Sequence, residues 1–301
     1  MIDIDTQTED IAKDRLLNYN EEYCWQYGIR LNNLSNDLEL LPEGTDHTLL
    51  KVSDFNFRIM ETQEDKKLVN NFIKLHEWLG TPAMNTTHYF GAFYNDILAG
   101  VVTFSNPTAY SKLLGEETKE LERLISRGAC ISWSPKNLAS AFVMWCIHYM
   151  VDNTQYRVFT AYSDPTAREL GTIYQACNFY YLGNKFGSKC KYISPYSGKL
   201  VSDRTFRSRS YYKRYAQDLQ IPWEQNWNKG DKICWDNIPD LVEAALRDYG
   251  KKQQLDAETV LIPSKHKYAY VLGKDKRETK QLRKQLELLN KTYDYPVTRG
   301  L

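Results

Sequence analysis

Residues 156–183 read YRVFTAYSDPTARELGTIYQACNFYYLG. The apolar run Val158-Phe159-Thr160-Ala161-Tyr162 predicts a strand, and the polar Ser163-Asp164-Pro165 predicts the turn that ends it. Gly171, Ile173, Tyr174 and Ala176 are spaced for a short helix. The aromatic run Phe179-Tyr180-Tyr181-Leu182 predicts another strand, stopped at Gly183. Strand, turn, helix, strand places Asp164 at the carboxyl end of a strand, where open α/β sheets bind ligands.

Upstream, Phe55–Ile59 alternates like a strand, and residues 65–79 carry Leu68, Val69, Phe72, Ile73, Leu75 and Trp78 near helical spacing, closed by Gly80-Thr81-Pro82. Residues 88–94 and 97–104 are β-rich runs joined by Asn95-Asp96, a hairpin signal. Residues 121–131 predict a strand, and Ser134 or Asn137 caps a helix that carries Leu138, Phe142, Met144, Trp145 and Ile147. Downstream, 238–249 is helical in pattern and 265–272 predicts a strand with a basic entrance. The expected organisation is an N-terminal extension at 1–50, with helical patterning over 11–23 and an Asn-rich stretch over 32–37. An α/β core follows at 51–200, then a basic and aromatic C-terminal extension at 201–301.

The chain has 301 residues, 42% of them hydrophobic, enough for a sizeable core. A net charge of +1 gives no global field that argues for nucleic acid or membrane. The six cysteines form no C-x-x-C pair, which argues against a disulfide framework or zinc site and for a reducing cytoplasm. The N-terminus MIDIDTQTED is acidic with no apolar signal region, and no run approaches the roughly 18 apolar residues of a membrane span.

The core order, β-α-β-β-β-α-β-α-β, resembles the GNAT acetyltransferase fold. A narrower resemblance rests on HYFGAFYNDILAGVVTFSNP (88–107), LERLISRGACISWSPKNLAS (121–140), FTAYSDPTARELGTIYQACNFYYLG (159–183) and PSKHKYAYVLG (263–273). In this order they resemble the bacteriophage Mom family, over roughly residues 80–215 and again near 263–275. That resemblance implies a GNAT-like core and a transferase that converts the exocyclic amine of adenine in double-stranded phage DNA to a carbamoylmethylated form, protecting it from restriction. It implies acetyl-CoA or a related acyl donor, and Asp164, Arg123 and Tyr174 as catalytic residues.

The residues themselves suit those roles. A carboxylate such as Asp164 can take a proton from a poorly nucleophilic amine. Arg123 can stabilise an oxyanion or pair with surface acids, and Tyr174 can act as a general acid or pack in the core. Ser134, Lys136, Asn137 and Ser140 lie where a helix start would hold a phosphate, although the turn lacks the glycines usual in the superfamily. His88 and Tyr89, with Asp164, offer nitrogen and oxygen ligands to iron. Arg204, Arg207, Arg209, Lys213 and Arg214 interleave with Tyr211 and Tyr212, a pattern suited to phosphates and stacked bases. The Lys274–Lys284 cation run is a second nucleic-acid candidate. Two other readings stay open: a generic N-acetyltransferase acting on a small amine or modified base, and a non-catalytic nucleic-acid-binding protein on the same fold. A homodimer is a further expectation.

Overall fold

The computed structural model describes residues 24–297 apart from 84, 188–189 and 231. The expected helical pattern over 11–23 lies outside the described residues. The alternating runs of the sequence pair into β1 (Phe55–Ile59), β2 (Thr86–Tyr94), β3 (Ile97–Ser105), β4 (Glu122–Cys130), β5 (Val158–Ser163) and β6 (Tyr180–Tyr181). Five short strands follow: β7 (Cys190–Ile193), β8 (Leu200–Val201), β9 (Asn228–Lys229), β10 (Lys232–Ile233) and β11 (Thr259–Leu261). The chain then returns as β12 (His266–Val271). The helices are α1 (Trp25–Leu38), α2 (Gln63–His76), α3 (Leu138–Asn153), α4 (Thr172–Ala176), α5 (Arg209–Asp218), α6 (Asp240–Asp256) and α7 (Lys276–Leu289).

Among the described residues the chain falls into two compact units, one of 24–187 with 264–297 and one of 190–263. The larger unit holds a seven-stranded sheet in the order β1-β2-β3-β4-β5-β12-β6. Only β4 and β5 run parallel; the other neighbours are antiparallel. This is the GNAT-like α/β core that the sequence predicts. Its sixth position is filled by β12, which the sequence places within the C-terminal stretch.

Side-chain alternation sends the sheet's two faces into separate cores. Phe90, Phe104, Phe159, Phe179 and Tyr268 meet Phe142, Ile147 and Met150 of α3. On the other face Phe55, Val101 and Ile131 meet Val69, Phe72 and Ile73 of α2, while Val158, Ala269 and Val271 meet Leu286 of α7. Each such side chain contributes about 1.5–3 kcal/mol by leaving water. Helix α2 starts where Thr62 accepts the Asp65 amide and Asp65 accepts the Thr62 amide, at 3.0 and 3.2 Å. The hairpin turn is made by Asn95 at φ 51°, a left-handed value that asparagine tolerates. Gly171 opens α4 at φ 68°, and a Cβ there would lie 2.5 Å from a Tyr268 ring carbon, so glycine is needed on both counts.

The Asn-rich stretch, for which the sequence names no element, lies inside α1, whose buried side is carried by Trp25, Gly28, Ile29 and Asp37. In the smaller unit Phe206, Tyr211, Tyr212, Tyr215 and Leu246 form an aromatic core between α5 and α6, beside the sheet β11-β7-β8.

Candidate active site

Strands β4 and β5 pair over only three residues: Glu122 with Val158, Arg123 with Phe159 and Leu124 with Thr160. Beyond that point β4 continues beside β3 to Cys130, and β5 continues beside β12 to Ser163. The β3–β4 register slips between Thr103 and Phe104, leaving Ser126 as the extra residue of a bulge. A bulge bends its strand and raises local twist, so the two parallel strands part directly after their last pair. The facing edges of the gap carry backbone N–H and C=O groups that no neighbouring strand takes, a slot suited to an extended ligand. Ser126 is held in a hydroxyl network, with Thr103 Oγ1 at 3.0 Å and Ser105 Oγ at 2.8 Å.

Asp164 sits at the carboxyl end of β5, beside this gap. Its carboxylate accepts the Thr166 amide at 3.0 Å and pairs with Lys265 Nζ at 2.8 Å. Burial by itself raises its pKa, but the Lys265 charge and the hydrogen bonds from Lys265 and Thr166 outweigh that and hold it below the usual carboxylate value. The turn then folds back through Arg168 at φ 57°. Glu169 thereby returns to Asp164, accepting its amide through Oε2 at 3.2 Å. Glu169 is half-buried as a residue, and the crowding of its carboxyl by protein pushes its pKa up to about 7; the Asp164 amide opposes the rise, and the Glu77 and Asp164 charges add to it. Glu77, itself buried, accepts the Gly80 amide at 3.0 Å. The Tyr174 ring packs on Phe179 and Tyr268, and burial, with Glu169 close by, raises its phenol pKa. The arrangement thus offers an ionised carboxylate fixed by a lysine, a second carboxyl able to exchange a proton near neutrality, and a neutral phenol. Sequence reasoning missed Glu169 and Lys265. The available signals were an acid five positions after Asp164 across a Pro turn, and the basic entrance of β12.

The turn from β4 into α3 is braced from outside. Arg30 of α1 donates through Nη2 to the Ser132 carbonyl at 2.8 Å and to Ser134 Oγ at 3.2 Å. Asp37 accepts both the amide and the hydroxyl of Ser132, and its carbonyl accepts the Trp133 indole at 2.9 Å. Of the predicted phosphate residues, Ser134 is therefore engaged by Arg30, and Ser140 Oγ turns back to the Asn137 carbonyl at 3.1 Å. Lys136 and Asn137 are exposed. In the first turn of α3 the Leu138 amide donates to the Pro135 carbonyl at 3.0 Å, while the Ala139 and Ser140 amides make no backbone hydrogen bond among the described residues. Lys136 and those amides, with the Arg30 guanidinium that holds Ser134, are the donors that could hold an anionic group of a cofactor.

Arg123 is not brought to Asp164. It lies opposite Phe159, five residues before Asp164, hence roughly 16 Å away along the strand at about 3.3 Å per residue. It is 8% exposed, donates to the Glu122 carbonyl and the Tyr156 hydroxyl, and stacks on the Tyr156 ring at 3.6 Å. His88 meets the other side of this cluster, its ring 5.8 Å from that of Tyr156. Burial and the Arg123 charge lower its pKa, an environment that disfavours a cation. Neighbours in a strand face opposite ways: His88 turns to Tyr156, while Tyr89 packs on the α2 side. The expectation that both ligate iron therefore finds no support, and among the described residues no group of three or more His, Cys, Asp or Glu could hold a metal ion.

In the smaller unit Tyr211 and Tyr212 are 7% and 5% exposed within the aromatic core, which removes them from base stacking. Arg207 pairs with Asp203, and Lys213 and Arg214 lie over Trp223 and Tyr196, at 5.9 and 5.0 Å. Arg209 donates to the Gly230 carbonyl, and Arg204 precedes the short turn Thr205–Arg207. No helix among the described residues is long and apolar enough to cross a membrane.

Solved structures similar to the chain include a probable acetyltransferase from Staphylococcus epidermidis, at 13% identity over 45% of this chain and 90% of that one, with a TM-score of 0.34. An acetyltransferase from Bacillus subtilis in complex with CoA matches at 9% identity over 72% and 99%, with a TM-score of 0.32. A GNAT family acetyltransferase from Elizabethkingia anophelis with acetyl-CoA bound matches at 9% over 73% and 99%, also at 0.32. These likenesses are distant, and the fold assignment rests on the strand order and the β4–β5 split. No curated protein matches the chain. The model of the Mom protein family matches residues 55–233, more than half of the sequence and the whole run from β1 through the split to the end of β10; the chain belongs to the Mom protein family.

Proposed function

We propose that this protein transfers an acyl-derived group, of the carbamoylmethyl type, from an acyl-CoA-like donor to the exocyclic amine of adenine in DNA. The observation that carries the reading is the pair Asp164 and Glu169 at the mouth of the β4–β5 split. An aromatic amine needs a base as its N–C bond forms, and Glu169 has the near-neutral pKa that suits that task. Asp164, paired with Lys265, would accept an amine hydrogen bond and orient it. A bound thioester donor would supply the activated carbonyl: as the N–C bond forms the C–S bond breaks and the thiol leaves, giving an N-acyl adenine, and a glycyl adduct of this kind is an isomer of the carbamoylmethyl product. Lys136, the first-turn amides of α3 and Arg30 would hold its anionic part, and the open strand edges its extended arm. Membership of the Mom protein family supports adenine in DNA as the acceptor.

The test is mass spectrometry of nucleosides from DNA of cells expressing the protein. A modified deoxyadenosine is expected, lost in Asp164→Ala and reduced at least about tenfold in Glu169→Gln, each about 1.4 kcal/mol or more in transition-state terms. Unmodified deoxyadenosine in cells that hold folded protein sinks the reading. Acetyl-CoA turnover on small amines, without DNA, would instead favour a generic N-acetyltransferase.

A further inference from the structure

The cation run at the C-terminal side of the core becomes a single surface in three dimensions. Lys276, Lys280, Arg283 and Lys284 fall at i, i+4, i+7 and i+8 of α7, one face of the helix. They line a groove of about 770 Å³ with Lys274, and its opposite wall is α3 through His148, Val151 and Asp152. All five cations are exposed. The nearby acids are committed elsewhere. Asp275 caps the Glu278 amide at 2.7 Å, Glu278 pairs with Arg157 at 3.0 Å, and Glu287 accepts the Tyr180 hydroxyl at 2.8 Å. Asp152, on the far wall, is the remaining acid of the groove. Among the described residues none of Lys276, Lys280, Arg283 and Lys284 makes an ion pair within 4.0 Å.

Such a stripe does not serve helix stability. Like charges at i, i+4 cost about 0.2–0.5 kcal/mol each, and cations in the first turn oppose the helix dipole. A polyanion reverses both terms. From Lys276 to Lys284 the stripe is about 12 Å long at 1.5 Å per residue. A DNA duplex presents roughly seven phosphates over that length, at one charge per about 1.7 Å. We propose that the groove between α3 and α7 binds the sugar–phosphate backbone of duplex DNA through Lys276, Lys280, Arg283 and Lys284. The choice of DNA rests on the function proposed above; the surface itself rests on the charge geometry. The contact carries no base information, so it positions the duplex rather than selecting a sequence.

The test is fluorescence anisotropy of a labelled 20-base-pair duplex with the full-length chain between 50 and 200 mM salt. The triple variant Lys276→Gln, Lys280→Gln, Lys284→Gln is compared with Lys51→Gln, Lys67→Gln, Lys119→Gln, three lysines exposed elsewhere on the same unit. Removing three phosphate-binding charges lowers the slope of log K against log salt by about 2.7 and weakens binding at least about tenfold at the lower salt. The second triple variant is expected to bind like the unmodified chain. An unchanged slope in the first variant, or an equal loss in the second, overturns the proposal. So does binding to anionic phospholipid vesicles with none to the duplex. The two proposals fail separately. A chain that leaves deoxyadenosine unmodified but shows the expected slope change keeps the surface and loses the reaction. A chain that modifies DNA with the triple variant's slope unchanged keeps the reaction and loses the surface.

Discussion

Asp164 and Glu169 are five residues apart in sequence and joined by two amide hydrogen bonds, yet the first is held below the usual carboxylate value and the second is pushed up to about 7. Lys265 and the hydrogen bonds from Lys265 and Thr166 keep Asp164 acidic against its burial, whereas at Glu169 burial and the Glu77 and Asp164 charges outweigh the Asp164 amide and the Lys265 charge. The shift in Glu169 has a consequence for stability. Its folded pKa of about 7 lies above its unfolded value, so between roughly pH 4.5 and 7 the folded state holds a proton that the unfolded state releases. Stability therefore falls as pH rises through that window. Glu169→Gln removes the penalty. Urea denaturation should find the variant equal to the unmodified chain near pH 4 and more stable by roughly 1–3 kcal/mol at pH 8, at about 1.4 kcal/mol per pKa unit. A variant no more stable than the unmodified chain at pH 8 contradicts the pKa assignment. The sequence made Asp164 legible because a strand, a Pro turn and a helix surround it. Glu169 was not legible, since its return to Asp164 depends on the left-handed backbone at Arg168.

The same contrast runs through the elements. Strands β1 to β5 and helices α2 and α3 were readable because period-2 and period-3.6 patterns, the Gly80-Thr81-Pro82 stop and the Asn95-Asp96 turn agree with one another. The place where β4 parts from β5 was not legible, because it depends on the bulge at Ser126, which leaves no mark in an alternating run. Helix α1 hides still more. Its Asn-rich stretch carries no helical pattern of its own, and its order comes from tertiary contacts at Trp25, Arg30 and Asp37. Asp37 is 3% exposed, binds Ser132 through amide and hydroxyl, and faces His76 Nδ1 at 3.6 Å. Asp37→Ala leaves the Ser132 amide and hydroxyl without their acceptor, while His76 Nδ1 keeps Asn33 Nδ2 at 3.4 Å, and costs about 1–3 kcal/mol. Arg30→Ala removes only bonds made by a half-buried side chain and costs about 1 kcal/mol or less. Hydrogen exchange should show protection lost over residues 25–38 in Asp37→Ala and largely kept in Arg30→Ala; equal effects would show that Asp37 is not the latch of α1.

At the scale of the molecule, a unit of its own core interrupts a sheet that is complete without it. The chain leaves the larger unit after β6 and re-enters it at β12, and the two ends of the interruption are bridge partners: Phe186 pairs antiparallel with Lys265, the Lys265 amide donating to the Phe186 carbonyl at 2.7 Å. Paired residues in antiparallel strands have Cα atoms about 4.5–5.5 Å apart, a gap that a two-residue turn closes. The larger unit keeps all seven strands of its sheet and the cores on both faces, while the smaller keeps its own aromatic core around Tyr215. Replacing residues 188–263 by Asn-Gly should therefore leave a folded, cooperatively melting protein. Its DNA affinity should retain the salt slope carried by α7, since Lys276, Lys280, Arg283 and Lys284 remain in place. The melting temperature should stay level or rise, because a tight turn in place of so long a loop lowers the entropy cost of bringing Phe186 to Lys265 by about 1–3 kcal/mol. A deletion protein that is soluble but melts without cooperativity would mean that the seven-stranded sheet needs the inserted unit to hold its sixth strand.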